Sequence, residues 1–323
     1  MTLQDAVPGL APAPLADATT TPRPPDVSRP VGTHVQVGKN LVDGALRTAV
    51  DLGCEAIQVF CGNPRGWALS EGDPDVDRRF RDRAGELGLR VFIHTPYLVN
   101  PGSPTPATYE RSLALIAHNL RRAVEIGAEG VVVHTGSYVE PAGDDPDAAQ
   151  ERHRDALRRL REGLLPILDD VATDDAPWLL LEPTAGQGRS LCAKVEDLAA
   201  YLGALDMHPK AGVCLDTCHV FAAGEPLDEP GGTTDTVDRL VQVGGEGRLR
   251  LIHANDSKDV RGAFKDRHEK IGQGHIGTAA FAELFAHPAT AGVPFILETP
   301  GSRGADDPDI ALLKQLRDAS AGG

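Results

Sequence analysis

Short apolar runs recur along the chain from about Val31. They are Gly32–Val37, Ala56–Phe60, Val91–His94, Gly130–His134, Trp178–Glu182, Gly212–Asp216, Leu249–His253 and Pro294–Glu298. Each has strand length and is mostly β-branched or aliphatic, as strands buried on both faces are. Between them, apolar residues at three- and four-residue spacing predict helices. These cover Leu41–Leu52, Asp75–Leu87, Thr108–Ile126, Ala148–Val171, Val195–Leu205, Thr234–Val243, Thr278–Phe285 and Asp309–Ala319. Glycine follows Leu52, Leu87 and Ile126, where a left-handed helix stop is needed.

Eight strand–helix units in this order predict an α/β fold, a (β/α)8 TIM barrel formed as one domain over residues 31–323. A doubly wound open sheet is the competing architecture. It would carry a glycine-rich phosphate turn after its first strand, and the one similar stretch, Gly186-Gln187-Gly188, follows the fifth and lacks a third spaced glycine. Residues 1–30 carry seven prolines and no periodicity, and are expected to form a flexible leader.

Composition narrows the class. Hydrophobic residues make up 41% of the 323, enough for a core, so global disorder is excluded. No apolar run approaches the ~20 residues that span a bilayer, and the leader has no apolar signal core, so a cytoplasmic enzyme is expected. The five cysteines are odd in number and form no CxxC pair, which argues for free thiols. With 32 basic and 47 acidic side chains the net charge is −15. Nonspecific coating of nucleic acid is therefore excluded, although a local basic site is not.

Six of the apolar runs end in a side chain that can ligate a metal: His94, His134, Glu182, Asp216, His253 and Glu298. In a (β/α)8 barrel these ends converge on one face. Six such groups desolvated together would be costly, and divalent cations offset that cost. Two loops add candidates. Asp216 is followed by His219 three residues on, and Asp266 by His268 two residues on, a spacing that puts both side chains on one side of an extended segment. Five histidines and four carboxylates favour Zn²⁺, with Mn²⁺ or Fe²⁺ as substitutes. Nine ligands suit two or three ions, an arrangement fitted to phosphodiester hydrolysis. His34 is placed to hold a ligand or water. His118, His153, His208 and His287 read as packing or surface residues, and His275 is left open.

These residues sit in HTPYLVN (94–100), HTGS (134–137), LEPTAGQG (181–188), LDTCHVFAAG (215–224), HANDSK (253–258), DRHEKIGQGHIG (266–277) and LETP (297–300). In that order they resemble the endonuclease IV family of apurinic/apyrimidinic endonucleases, over nearly the whole chain from Val31. The resemblance implies a xylose-isomerase-like barrel and a trinuclear zinc centre. It places the first ion on His94, His134 and Glu182, the second on Glu182, Asp216, His253 and Glu298, and the third on His219, Asp266 and His268. It implies a DNA-repair hydrolase acting 5′ to an abasic site in double-stranded DNA, leaving a 3′-hydroxyl and a 5′-deoxyribose phosphate. A metal-bridging hydroxide would be the attacking group, with Glu182 and Glu298 as catalytic carboxylates.

The same resemblance makes Arg65, in FCGNPRGW, and Tyr97 the DNA-binding wedges that fill the gap left by an extruded nucleotide. Thr135, Pro183 and Ala254 depart from the family pattern, which commonly has Pro, Asn and Leu there. The five basic residues between Lys258 and Lys270, with Arg65 and Arg303, are expected to form a basic crescent on the acidic protein. A monomer is expected, associated with the nucleoid when on DNA. Two other readings are a metal-dependent sugar isomerase or epimerase with the same barrel, and a metal-bound protein that senses damaged DNA without cutting it.

Overall fold

The computed structural model describes residues 28–139, 145–171, 173, 175–301 and 307–320. Residues 1–27 of the expected leader, and Arg303, lie outside them. Eight strands, Val31–His34, Ala56–Val59, Arg90–His94, Gly130–His134, Trp178–Glu182, Ala211–Asp216, Leu249–His253 and Phe295–Leu297, pair in parallel and close into a barrel. The closing pair sets Val31 against Phe295. Helical chain follows each strand and covers the barrel, as the alternating pattern predicts.

The pleat divides the strand residues into two sets. Side chains facing the helices join the larger core, among them Val91, Ile93, Val131, Val133, Leu179 and Leu181. The alternate residues fill the barrel interior: Ala56, Phe92, Val132, Leu180, Cys214, Leu251 and Ile296. Parallel strands buried on both faces explain the absence of polar alternation in the sequence.

Four helices start one or two residues before the expected position. The helices Pro74–Leu87, Pro106–Ile126, Pro146–Asp170 and Pro308–Ser320 each begin on proline. Proline at the first helical position has no N–H to lose, and in three of the four an aspartate before it supplies the cap, whereas Thr105 before Pro106 makes no capping bond. Asp73 accepts from the amides of Asp75 and Val76, and Asp145 from those of Asp147 and Ala148. The expected glycine stops are present, with Gly88 and Gly127 at φ 66° and 72°. The first helical turn, Leu41–Leu46, is a π-helix that runs into Arg47–Asp51.

One helix is unanticipated. The residues after Asp216, expected as a loop, form the helix Thr217–Ala223, buried along its whole length. All seven residues being buried, no amphipathic stripe marks it. Asp216 Oδ1 caps it by accepting from the amide of His219 at 2.8 Å.

The barrel leaves no room at Gly32. A Cβ there would lie 1.6 Å from the carbonyl oxygen of Ala56 on the neighbouring strand. Gly32→Ala should therefore part the first two strands and destabilise the protein by about 3 kcal/mol or more, the upper range for overpacking. Urea denaturation checks this; a loss under about 0.5 kcal/mol, typical of a surface change, would contradict it.

Candidate metal centre

Each interior residue of the barrel is followed, two positions on, by a side chain facing the same way. Ala56 leads to Gln58, Phe92 to His94, Val132 to His134, Leu180 to Glu182, Cys214 to Asp216, Leu251 to His253 and Ile296 to Glu298. Gly32 leads likewise to His34. A dry layer thus supports a polar one at the C-terminal mouth. Glu298 lies one residue past its strand, which ends at Leu297, and still joins the layer.

The nine sequence-derived ligand candidates come together in three groups, the first two of which overlap. They are His94, His134 and Glu182; Glu182, Asp216, His253 and Glu298; and His219, Asp266 and His268. In each group one potential ligand atom per residue lies within 4.8 Å of all the others. Glu182 is the shared member. Its Oε2 lies 3.1 Å from His94 Nε2 and 3.3 Å from His134 Nε2, and its Oε1 lies 3.0 Å from His253 Nδ1. Asp266 Oδ1 lies 3.3 Å from His219 Nε2 and 3.1 Å from His268 Nε2, so the pair spaced by two residues does face one way. Cys214 and Cys218 also lie near carboxylates and histidines. Burial pushes the Cys214 thiol up to about 12 and raises Cys218 too, which disfavours the thiolate a metal requires. None of the five cysteines is in a disulfide.

Four of the five histidines present one nitrogen to the carboxylates and direct the other to a neutral oxygen. His94 Nδ1 donates to the Thr95 carbonyl at 2.7 Å, His219 Nδ1 to that of Pro183 at 3.1 Å, and His268 Nδ1 lies 3.4 Å from that of Glu298. His253 Nε2 donates to Gln58 Oε1 at 2.8 Å. Such anchoring fixes ring orientation at metal sites. The donor set therefore fits divalent cations. A further sign is His268 Nε2, buried and without a hydrogen bond, yet facing Asp266 at 3.1 Å and Asp216 at 3.6 Å.

Two supporting residues escaped the sequence reading. Gln58 donates to Glu298 Oε1 at 2.8 Å and to His34 Nδ1 at 3.1 Å while accepting from His253. His34 thus sits behind the ligands, as expected. Asn255 donates to Asp216 Oδ2 at 2.7 Å and accepts from the Glu298 amide at 2.8 Å. Gln58 had a legible signal, its place two residues after Ala56; Asn255, past the strand end, had none.

The mouth opens as a cleft of about 490 Å³ that reaches His94, His134, His219, His268 and Glu298. Tyr97, 58% exposed, stands over it with its ring centroid 5.4 Å from Phe60. The Tyr97 amide donates to the Pro64 carbonyl, tying it to the loop on which Arg65 is exposed. The expected basic crescent is largely neutralised. Arg261 pairs with Asp228 and Glu229, and Lys265 and Arg267 both pair with Asp259. Of the remaining histidines, His118 and His153 bond backbone carbonyls. His208 and His287 pair with Asp169 and Asp238, and His275 is exposed outside the groups.

Fold and site together define a (β/α)8 barrel with histidine–carboxylate groups at its mouth that could hold metal ions. The family model for a xylose isomerase-like TIM barrel matches residues 46–319. The probable endonuclease 4 of Streptomyces avermitilis is 54% identical over 306 residues, 94% of this chain and 94% of that protein. Endonuclease IV from Thermus thermophilus superimposes with a TM-score of 0.74 at 31% identity, covering 91% of this chain and 99% of that one. A D-tagatose 3-epimerase-like protein gives 0.66 at 18% identity, covering 91% and 97%, a likeness of fold alone. The chain belongs to the endonuclease IV family of apurinic/apyrimidinic endonucleases.

Electrostatics predict how cations enter. Burial alone would raise the Glu182 and Glu298 carboxyls, but the surrounding histidines, His253 foremost, hold Glu182 well below its usual range and Glu298 at about 2. Burial would lower the histidines in turn. Asp216 and Asp266 outweigh it at His219, Glu298 and Glu182 help to do so at His253, and His268 is raised to about 9. The direction of these shifts favours the protonated imidazoles in the metal-free chain. A cation must displace those protons, so affinity should rise with pH and uptake at pH 7 should release them. Calorimetry in buffers of different ionisation heat measures the release; a buffer-independent heat would contradict it.

Proposed function

We propose that this protein is a zinc-dependent DNA-repair enzyme that hydrolyses the phosphodiester bond 5′ to an abasic site, leaving a 3′-hydroxyl and a 5′-deoxyribose phosphate. The observation that carries the reading is the convergence of nine histidine and carboxylate side chains in three adjoining groups, two of them sharing Glu182, beneath an exposed aromatic and an exposed guanidinium. His94, His134 and Glu182 would hold one Zn²⁺; Glu182, Asp216, His253 and Glu298 a second; His219, Asp266 and His268 a third, with Mn²⁺ as a substitute. When bound, such ions acidify water and stabilise the charge of an in-line displacement at phosphorus.

The chain's own groups divide the remaining work. Tyr97 and Arg65 fill the gap left when the abasic nucleotide leaves the stack. An extruded abasic sugar needs no room for a base, and the cleft selects it without reading sequence. The Glu182 side chain is 1% exposed and serves to bind, whereas that of Glu298 is 19% exposed and meets the cleft. Glu298, its carboxylate held by Gln58 and its backbone amide by Asn255 Oδ1, orients the attacking water and accepts its proton. All nine candidate ligands come from one chain, which supports a monomer. A sugar isomerase would leave the Asp266–His268 pair without a purpose.

The deciding experiment is incision of a duplex carrying one abasic-site analogue, with an undamaged duplex as control and metal content measured on the same preparation. Cleavage just 5′ of the lesion, abolished by prolonged chelation and by Glu182→Gln, is expected. A folded, fully metallated protein that cuts neither duplex overturns the reading. Glu298→Gln should lower turnover by about 10²-fold or more, the usual scale of general-base loss, with DNA affinity changed far less; equal losses in both would remove Glu298 from that role.

Tyr97→Ala and Arg65→Ala should act on binding. Stacking on an aromatic contributes about 1–3 kcal/mol, so Tyr97→Ala should weaken abasic-duplex binding by about tenfold or more with less effect on undamaged DNA. Titration by fluorescence anisotropy reads both, and equal weakening on the two duplexes would contradict a wedge.

A further inference from the structure

We infer that Asp256 is a positioning residue, an internal anion around which the third candidate metal position is assembled. The inference rests on the three-ion reading above. Asp256 is fully buried, and among the described residues no cation pairs with it. Its carboxylate is instead surrounded by backbone. Oδ1 accepts from the amides of Ser257 at 2.7 Å and Ile276 at 2.9 Å, and Oδ2 from those of Gly272 at 2.9 Å, Gly274 at 3.2 Å and Gly277 at 3.3 Å. A ring of amides of this kind ordinarily binds a free anion.

The glycines follow from that grip. A Cβ on Gly274 would lie 2.4 Å from Asp256 Oδ1 and 2.3 Å from the Ser257 carbonyl oxygen. Gly272 and Gly277 have φ of 76° and 80°, conformations that turn successive amides inward and that a side chain would strain. The glycine-rich stretch 271–277 is therefore wound on a carboxylate of its own chain.

The link to the metal position is direct. Asp256 and Ser257 form a two-residue antiparallel ladder with Glu269 and His268. His268, opposite Ser257, carries the buried nitrogen that faces Asp266 and Asp216. The Lys258 amide also donates to the Arg267 carbonyl. Asp256 thus holds, from one side, the loop that turns back through 271–277 and, from the other, the strand that sets His268.

Asp256→Asn keeps the shape but replaces one acceptor oxygen with an amide that meets N–H groups. Gly274→Ala disturbs the same contact from the opposite wall. Both variants should retain the barrel by circular dichroism and bind two equivalents of Zn²⁺ tightly. The third should be at least tenfold weaker, read by mass-spectrometric metal counting and competition with a chromophoric chelator. In the metal-free variants, amide exchange should accelerate at residues 257, 272, 274, 276 and 277 and not in the barrel strands. Three ions held with unchanged affinity and unchanged exchange overturn the proposal, as does global unfolding of both variants, which would make Asp256 a residue of the fold. A wild-type chain that takes up only two ions contradicts the three-ion reading instead, and the exchange measurement still decides whether Asp256 orders the loop.

Discussion

The two-residue period of a β-strand is the constraint on which this molecule depends. Each barrel strand commits one side chain to the interior and, two residues later, another to the mouth. Closure of the eight strands forces the interior residues into one dry layer. The polar residues above them have no freedom to be elsewhere. Phe92, Val132, Leu180, Leu251 and Ile296 are therefore as much part of the site as the histidines and glutamates they carry. A one-residue slip in any strand would turn its ligand towards the helices.

That layer places like charges at close range. Four carboxylates and five imidazoles share the mouth, and Glu182, Asp216 and His253 are fully buried. In the metal-free chain, neighbouring histidines offset burial at Glu182, Glu298 and Asp266 and hold them low, and neighbouring carboxylates raise His219, His253 and His268. The geometry is held by neutral groups: backbone carbonyls behind His94, His219 and His268, Gln58 behind His253, and Asn255 between Asp216 and Glu298. None of these contacts uses an ion as a partner. The arrangement is thus preorganised for cations instead of being assembled by them.

Much of this was legible in the sequence because period and spacing are local. The strand runs were found to within a few residues, and the nine donors followed from strand ends and two short spacings. What was missed depends on contacts between distant segments. The helix Thr217–Ala223 carries no stripe because every side of it is buried. Asn255 and Asp256 acquire meaning only from Glu298 and from the loop at 271–277. The cations between Lys258 and Lys270 look free in one dimension, but Asp259 folds back on two of them and Asp228 and Glu229 meet a third. Sequence counts charges, whereas pairing decides which of them face a phosphate.

The departures from the family pattern beside Glu182 are intelligible in the same terms. Thr135 stands where proline is common, and its amide donates to the Glu182 carbonyl at 3.1 Å, a bond that proline cannot make. Its hydroxyl also donates to the Cys192 carbonyl at 3.0 Å. On the neighbouring strand, Pro183 stands where asparagine is common and lacks a donor of its own. Its carbonyl nevertheless anchors His219. Proline at 135 would remove the amide that Thr135 donates to Glu182, whereas proline at 183 keeps the carbonyl that anchors His219. In this chain both strand ends beside the shared carboxylate therefore keep the bonds that hold its neighbours.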